Sequence, residues 1–181
     1  GATTDARDVV GFMDLGESQP YNPAIQSLSS NPLPANGANS LFNSLVNDPN
    51  ARNPSLVNTV LLNKGLRPVD DYEKTFARKL SPNEYYFNPQ AGFISVNTQL
   101  QSDEVLAIAY QYTYNGRVFQ VGEFSQDIAL DSTRGVQKVL FLKLLKATSA
   151  RTRLPIWKLM MKNIYTLKSS NGEYLSALDR T

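Results

Sequence analysis

Residues 105–122 read VLAIAYQYTYNGRVFQVG, and this stretch decides the fold class. Two runs rich in aromatic and β-branched residues flank Asn115-Gly116, the dipeptide that most readily supplies the two positive φ angles of a type I′ turn. The stretch therefore predicts a β-hairpin, and a two-residue turn also fixes which residues of its strands face each other. The predicted pairs are Tyr114 with Arg117, Tyr112 with Phe119, and Tyr110 with Val121.

A second hairpin is predicted just upstream of the first. Residues 85–87 (YYF) and 93–96 (FISV) have the composition of strands, and residues 88–92 between them are typical of a longer turn. The first strand of the 105–122 hairpin carries apolar residues on both of its faces. We therefore expect other elements to cover each face of that strand.

Further segments carry helical spacing or helix-terminating residues. Pro54 suits a first helical turn and Gly65 suits the position after a last one. Asp70 begins a capping-box pattern, and apolar residues then recur every four positions up to Leu80. Residues 136–145 are apolar almost all round. These signals predict helices over residues 40–46, 54–65, 70–80, 136–145 and 155–165.

The first 64 residues are predicted to form an irregular arm. Between residues 21 and 53 the chain is crowded with breaker pairs such as Asn22-Pro23, Asn31-Pro32 and Asp48-Pro49. A long stretch of this kind is typical of an arm or a functional loop. The predicted fold class is α+β, with short antiparallel β-hairpins packed with several α-helices in residues 65–181, which form one unit. An irregular Asn/Pro-rich N-terminal arm with short helices, residues 1–64, precedes that unit.

Composition argues against most catalytic and nucleic-acid-binding classes. The chain has neither cysteine nor histidine, which removes the thiolate and the imidazole from any nucleophilic, acid-base or metal site. The formal charge of +2 is small and mixed along the chain, so we expect no nucleic-acid partner. No run approaches the roughly 20 apolar residues of a membrane-spanning helix. We therefore predict no enzyme activity, no cofactor, no bound metal and no membrane span.

Two pairs of adjacent carboxylates, Asp70/Asp71 and Asp103/Glu104, are the remaining candidates for acid-base chemistry. Adjacent side chains do not converge on one reacting atom, so cap and turn roles are favoured. A hydrolase that acts through Asp103 or Glu104 is kept only as a formal alternative.

Aromatic and methionine residues offer candidate binding surfaces. The row Tyr110, Tyr112, Tyr114 and Phe119 is predicted to be a cross-strand ladder in the core, with a sugar- or base-stacking platform as the alternative. Trp157, Met160 and Met161 form the candidate partner-docking set, because methionine-rich patches adapt to partners. Ordinary core packing is the competing interpretation for these three residues.

Several runs of the sequence resemble the SprA/Sov family, the giant outer-membrane translocon of the Bacteroidetes type IX secretion system, which is also tied to gliding motility. The runs that carry the resemblance are 5–8 (DARD), 12–17 (FMDLGE), 66–73 (LRPVDDYE), 81–88 (SPNEYYFN) followed by Gly92, 102–112 (SDEVLAIAYQY), 121–124 (VGEF) and 154–165 (LPIWKLMMKNIY).

The resemblance implies a very large parent β-barrel with soluble insertions between its strands, and this chain would be one such insertion. It implies no catalytic residues. The expected partners are the rest of the translocon and other secretion-system or cargo proteins. The expected location is the cell outer membrane for the parent protein, with this chain a soluble periplasmic or extracellular region. The alternative function is a cell-surface carbohydrate-binding or adhesion module that uses the tyrosine row.

Overall fold

The computed structural model describes residues 6–128 and 137–160, together with the backbone of two strands at 164–168 and 174–178. Two short α-helices are present in this part of the chain, α1 at Ser40–Val46 and α2 at Val57–Asn63. Single 3₁₀ segments lie at Asn36–Ala38, Pro49–Arg52, Ser125–Asp127 and Pro155–Leu159. The strands are β1 Ala6–Phe12, β2 Tyr72–Arg78, β3 Tyr85–Asn88, β4 Phe93–Val96, β5 Leu106–Ile108, β6 Tyr110–Tyr114, β7 Arg117–Val121, β8 Leu140–Lys146, β9 Ile164–Lys168 and β10 Tyr174–Leu178.

A four-stranded mixed sheet with the order β2-β1-β8-β5 forms the centre of the molecule. Strand β1 runs antiparallel to β2 and parallel to β8, and β8 runs antiparallel to β5. The other described strands form the hairpins β3–β4, β6–β7 and β9–β10. A parallel pair requires a crossover connection. Here the long chain between β1 and β8 supplies it.

Each face of the central sheet carries its own hydrophobic cluster. Successive side chains of a strand point to opposite faces, and accordingly Phe12 lies in the larger cluster whereas Met13 lies in the smaller one. Phe12 packs edge-on against Phe141 of β8, with ring centroids 5.9 Å apart. Leu144, three residues further along β8, belongs to the smaller cluster. The inner strands β1 and β8 are therefore covered on both faces.

The segment that follows β1 packs against the larger cluster. Buried residues of α1 and α2 join it, namely Leu41, Leu45, Val57 and Leu61. Asn39 begins α1 by accepting a hydrogen bond from the Leu41 N–H, and its fully buried side-chain amide donates to the carbonyls of Asp14 and Glu17. The short α1 helix is therefore held by an N-cap and by packing.

A nearly buried ion pair connects this segment to the sheet. Arg52 forms two hydrogen bonds with the Glu123 carboxylate, of 2.7 and 2.5 Å, and its guanidinium lies 4.2 Å from the ring centroid of Phe141. Glu123 also accepts from the Phe141 N–H, and Arg52 donates to the Val139 carbonyl. The pair thus satisfies backbone groups at the start of β8 as well as its own charges.

The predicted α+β fold class is wrong, because the described chain contains more strand than helix and only two short α-helices. The predicted irregular arm is corrected as well, since its residues 6–12 form β1, an inner strand of the central sheet. Within the predicted helix at 70–80, residues 72–78 form strand β2 instead. Tyr72, Phe76 and Leu80 recur every four residues, and residues four apart share a face in a strand as they do in a helix. The spacing therefore fits both structures, and pairing of β2 with β1 decides between them.

Two more predicted helices are also replaced by other structure. Residues 140–145 of the predicted helix at 136–145 belong to β8, an inner strand between β1 and β5, and residue 136 lies outside the described residues. A strand covered on both faces is continuously apolar, and its sequence then matches that of a buried helix. Residues 155–165 contain a 3₁₀ segment at Pro155–Leu159 and the first residues of β9, with 161–163 outside the described residues.

Both predicted hairpins are confirmed. Asn115 and Gly116 have φ angles of 49° and 73°, and all three predicted pairs across β6 and β7 are present. Strands β3 and β4 pair as the second hairpin. The run from 105 to 114 is divided into β5, which pairs with β8, and β6, which pairs with β7. Within the described residues, no helix has the length and apolarity that crossing a bilayer requires.

Candidate functional site

Two of the three residues predicted to dock a partner, Trp157 and Met160, lie beside the smaller hydrophobic cluster. Trp157 and Met160 are half-buried, and Met161 lies outside the described residues. Their neighbours Leu154 and Ile156 are buried in that cluster, whereas Leu159 is exposed. The structure thus places part of this segment in the core and part at the surface, and docking through Trp157 and Met160 stays a prediction.

Greater apolar exposure is found on the segment that runs from β2 into β3. Phe76 is 67% exposed, Tyr86 56% and Phe87 52%. Monomeric proteins seldom expose large apolar side chains close together unless the surface binds something. Strand β2 and the hairpin β3–β4, which we call the β2–β4 surface, are therefore a candidate interaction site.

Strand β2 is an edge of the central sheet among the described strands. The Met13 N–H donates to the Asp71 carbonyl, and these two residues are the pair that precedes Phe12 and Tyr72 in the register of β1 and β2. In an antiparallel pair of strands every second residue pair is hydrogen-bonded, so the bonded pairs continue at every second residue after Asp71. The backbone groups of Glu73, Thr75 and Ala77 consequently point to β1. Those of Lys74, Phe76 and Arg78 point outward, where another strand is able to pair with them.

The hairpin β3–β4 carries large apolar side chains on both of its faces. Directly opposed residues share a face, so Tyr85, Phe87, Ile94 and Val96 lie together on one side. On the other side Tyr86 and Phe93 are in contact, with ring centroids 6.2 Å apart. None of these six residues is buried. A two-stranded hairpin in water is marginally stable by itself, so this element gains most if something covers it.

A polar clamp fixes the base of this hairpin to the end of β2. Arg78 donates two hydrogen bonds to the Glu84 carboxylate, of 2.8 and 2.6 Å, and Glu84 also accepts from the backbone and hydroxyl of Ser81. The hydrogen bonds from Arg78 and from the Ser81 N–H lower the pKa of Glu84 to about 2. On the other strand Asn97 donates to the carbonyls of Asn83 and Glu84. The two exposed aromatic elements are thus held in a fixed relation at their junction.

Three rings of the tyrosine row form the predicted cross-strand stack, but none of the four residues is buried, so the row is not the core ladder that the sequence predicts. Tyr112 stacks on Tyr110 with centroids 6.1 Å apart and on Phe119 with centroids 5.3 Å apart. Burial raises the pKa of Tyr110 to about 12. The Tyr112 hydroxyl donates a 2.6 Å hydrogen bond to the Pro34 carbonyl. Since the rings cover one another, open ring face is greatest at the half-exposed Tyr114 end of the row.

Three of the four predicted carboxylate candidates, Asp70, Asp71 and Glu104, occupy structural positions. Asp70 pairs with Arg151, and Arg153 lies 3.8 Å from the same oxygen. Asp71 accepts a hydrogen bond from the Arg67 N–H, and Glu104 accepts from the Gln101 N–H within a turn. In the described parts of the chain, no three acidic side chains come together as a metal site would require.

The exposed residue Phe76 was missed because the helical interpretation placed it on a buried stripe. The signal available was the pair Thr75-Phe76, which has strand composition and lies close to the 85–87 run. For Tyr86 and Phe87 the strand was predicted but the exposure was not. Consecutive aromatics on one strand must point to opposite faces, so at least one of them needs a second covering surface.

Comparison with known proteins adds no assignment to this site. A scan against protein-family models and a search of curated proteins gave no match to the chain.

Proposed function

We propose that this chain is a non-catalytic module of a SprA/Sov-like outer-membrane protein translocon, of the kind that serves type IX secretion and gliding motility. In this role it shapes the channel or docks partner proteins from a periplasmic or extracellular position. The observation that carries docking to the rest of the parent translocon is the β2–β4 surface, where an open strand edge adjoins an uncovered aromatic hairpin. The family identity rests on the sequence runs that resemble the translocon.

The occupant of this surface is an extended strand of the parent polypeptide. An open edge offers backbone donors and acceptors at Lys74, Phe76 and Arg78, and strand addition uses such groups for affinity. Side-chain contacts then give specificity, and the exposed Phe76 ring on the edge strand and the exposed Tyr86 ring on the adjoining hairpin provide apolar ones. A strand from the same parent is present at high effective concentration, which favours this pairing over a diffusing partner.

The test is photocrosslinking in living cells that contain the full-length parent protein. A photoreactive phenylalanine analogue is placed at Phe76 or Tyr86, and the matched control is Val118 on β7, which is 62% exposed but lies outside the β2–β4 surface. We expect positions 76 and 86 to give one defined crosslink, internal to the parent chain, while position 118 gives none. A crosslink to a separate protein would exclude the parent strand and assign the surface to a partner.

A second arm separates docking from folding. Phe76→Asp and Val118→Asp both change an exposed side chain, so each is expected to shift the melting temperature of the isolated chain by little. In cells, only Phe76→Asp is expected to reduce secretion, because a charge then faces an apolar interface. Equal secretion by both variants, or a parent protein that does not fractionate with the outer membrane, would contradict the proposal.

A further inference from the structure

A cleft of about 330 Å³ lies between the Asn/Pro-rich segment and the tip of the β6–β7 hairpin. Residues 31–33 form one wall, and Tyr114, Asn115, Arg117 and Phe119 form the other. This volume is at the lower end of the range for small-molecule sites. The cleft lies on the β6–β7 hairpin and not on the β2–β4 surface, so its role is independent of the proposed docking function.

Both walls of the cleft are fixed by hydrogen bonds. On the loop wall, the Leu33 N–H donates to Asn31 Oδ1 at 3.0 Å and the Asn31 N–H donates to Ser29 Oγ at 3.1 Å. On the other wall the type I′ turn sets the direction of Tyr114 and Arg117. The bond from the Tyr112 hydroxyl to the Pro34 carbonyl joins the two walls. The cleft is therefore formed before any ligand arrives.

The cleft combines one cation, an open aromatic ring and amide groups. Arg117 lies over the Phe119 ring at 5.8 Å from its centroid, and no carboxylate of the described chain is within ion-pair distance of it. Tyr114 is half-exposed directly opposite Arg117 in the strand register. The side chains of Asn31 and Asn115 add donors and acceptors at the rim. No acidic residue lines the cleft, so its potential favours an anion.

We infer that this cleft binds a carboxylate-bearing sugar unit of the uronic acid class. A sugar ring offers an apolar C–H face to Tyr114, hydroxyl groups to the asparagine amides, and a carboxylate that matches the arginine fork. An acidic peptide fits less well. The backbone groups of β6 and β7 pair with each other here and Pro32 lacks an N–H, which leaves few main-chain partners for a peptide.

The test is an NMR titration of the ¹⁵N-labelled chain with trigalacturonic acid, with neutral galactotriose as the matched ligand. We expect saturable shifts at Asn31, Leu33 and Asn115 for the acidic trimer and little change for the neutral one. Arg117→Ala and Tyr114→Ala are each expected to weaken binding at least about tenfold. Arg67→Ala is the control, because Arg67 is another exposed arginine without an ion pair in the described chain.

Four outcomes would overturn the inference. These are the absence of saturable shifts with the acidic trimer, equal affinity for the neutral trimer, equal loss of affinity in Arg67→Ala and Arg117→Ala, and equally tight binding of triglutamate at the same residues. Because both Arg117 and Tyr114 are exposed, their variants are expected to keep the wild-type dispersion of the spectrum, and that dispersion verifies folding.

Discussion

At the scale of single residues, Tyr72 and Tyr112 differ in whether the hydroxyl has a hydrogen-bond partner. Replacement by phenylalanine is therefore expected to have opposite effects on stability at the two positions. The Tyr72 hydroxyl is buried in the larger cluster without a hydrogen-bond partner, whereas that of Tyr112 donates to the Pro34 carbonyl. A buried unsatisfied group costs about 1–3 kcal/mol, and a satisfied hydrogen bond contributes about 0.5–1.5 kcal/mol. We expect Tyr72→Phe to raise the free energy of unfolding and Tyr112→Phe to lower it.

Urea denaturation followed by circular dichroism measures both effects, and each variant serves as the control for the other. A loss of stability in Tyr72→Phe would mean that an ordered water or another group satisfies the hydroxyl. That result would also change the account of how Phe12 and Tyr72 pack, since their rings lie 6.3 Å apart in the same cluster.

At the scale of one element, the turn at Asn115-Gly116 makes a prediction about glycine. Gly116 has a φ of +73°, and a Cβ there would meet no atom within 4 Å. Gly37 is equally open but does not have a positive φ. Gly116→Ala is therefore expected to destabilise the chain by about 1 kcal/mol, because the left-handed region is costly for residues with a Cβ.

Gly37→Ala is the matched control, and it is expected to be neutral or slightly stabilising because it restricts the unfolded chain. Thermal melts of both variants measure the difference. Equal melting temperatures would show that the backbone at 116 relaxes out of the type I′ turn at little cost.

The clamp at the base of the β3–β4 hairpin predicts a pH dependence. The pKa of Glu84 is lowered from 4.5 to about 2, mainly by hydrogen bonds from Arg78. The pKa of Glu84 is lower in the folded state than in the unfolded chain, so the ionised Glu84 carboxylate stabilises the folded state. This stabilisation is complete above about pH 4.5 and is lost as the pH falls toward 2. Loss of Arg78 should therefore return the pKa of Glu84 toward its ordinary value.

NMR titration of the Glu84 side-chain carboxyl carbon measures this pKa directly. We expect Arg78→Ala to raise it, while Lys79→Ala, which removes an exposed neighbouring charge without contact to Glu84, leaves it unchanged. An equal increase in both variants would indicate general electrostatics instead of the specific clamp.

At the scale of the whole molecule, the Arg52–Glu123 pair joins the segment between β1 and β2, here called the N-terminal segment, to the central sheet. The Glu123 side chain is 6% exposed, and removal of one partner from a buried pair leaves an uncompensated charge that costs about 3–5 kcal/mol. We expect Arg52→Ala to lower the free energy of unfolding by about that amount, with added loss from the contact between Arg52 and the Phe141 ring.

Arg151→Ala is the matched control, since Arg151 pairs with Asp70 at a more exposed position and such pairs contribute about 0–1 kcal/mol. Denaturant titrations of the two variants provide the comparison. If the two losses are equal, the N-terminal segment is not held to the sheet through Arg52, and its packing alone keeps it in place.

Some parts of the candidate site were predictable from the sequence and others were not. The strands around Tyr86 and Phe87 and the register of Tyr114 with Arg117 follow from turn residues and strand composition close by. The open edge at Phe76 does not, because it exists only when β2 pairs with β1 and nothing in the described chain pairs beyond it. The cleft beside Arg117 needs residues 31–33, which lie more than 80 positions away.

By itself the sequence determined the two hairpins and the short helices α1 and α2, because turn chemistry, capping and proline placement act within a few residues. Only the tertiary structure decided that residues 72–78 and 140–146 are strands. Apolar residues four positions apart share one face in a strand and in a helix, and a continuous apolar run is typical of a buried strand and of a buried helix. Both segments are strands because they pair with β1, which lies about 60 residues from β2 and about 130 residues from β8. Pairing between segments so far apart produces no pattern in the neighbouring sequence.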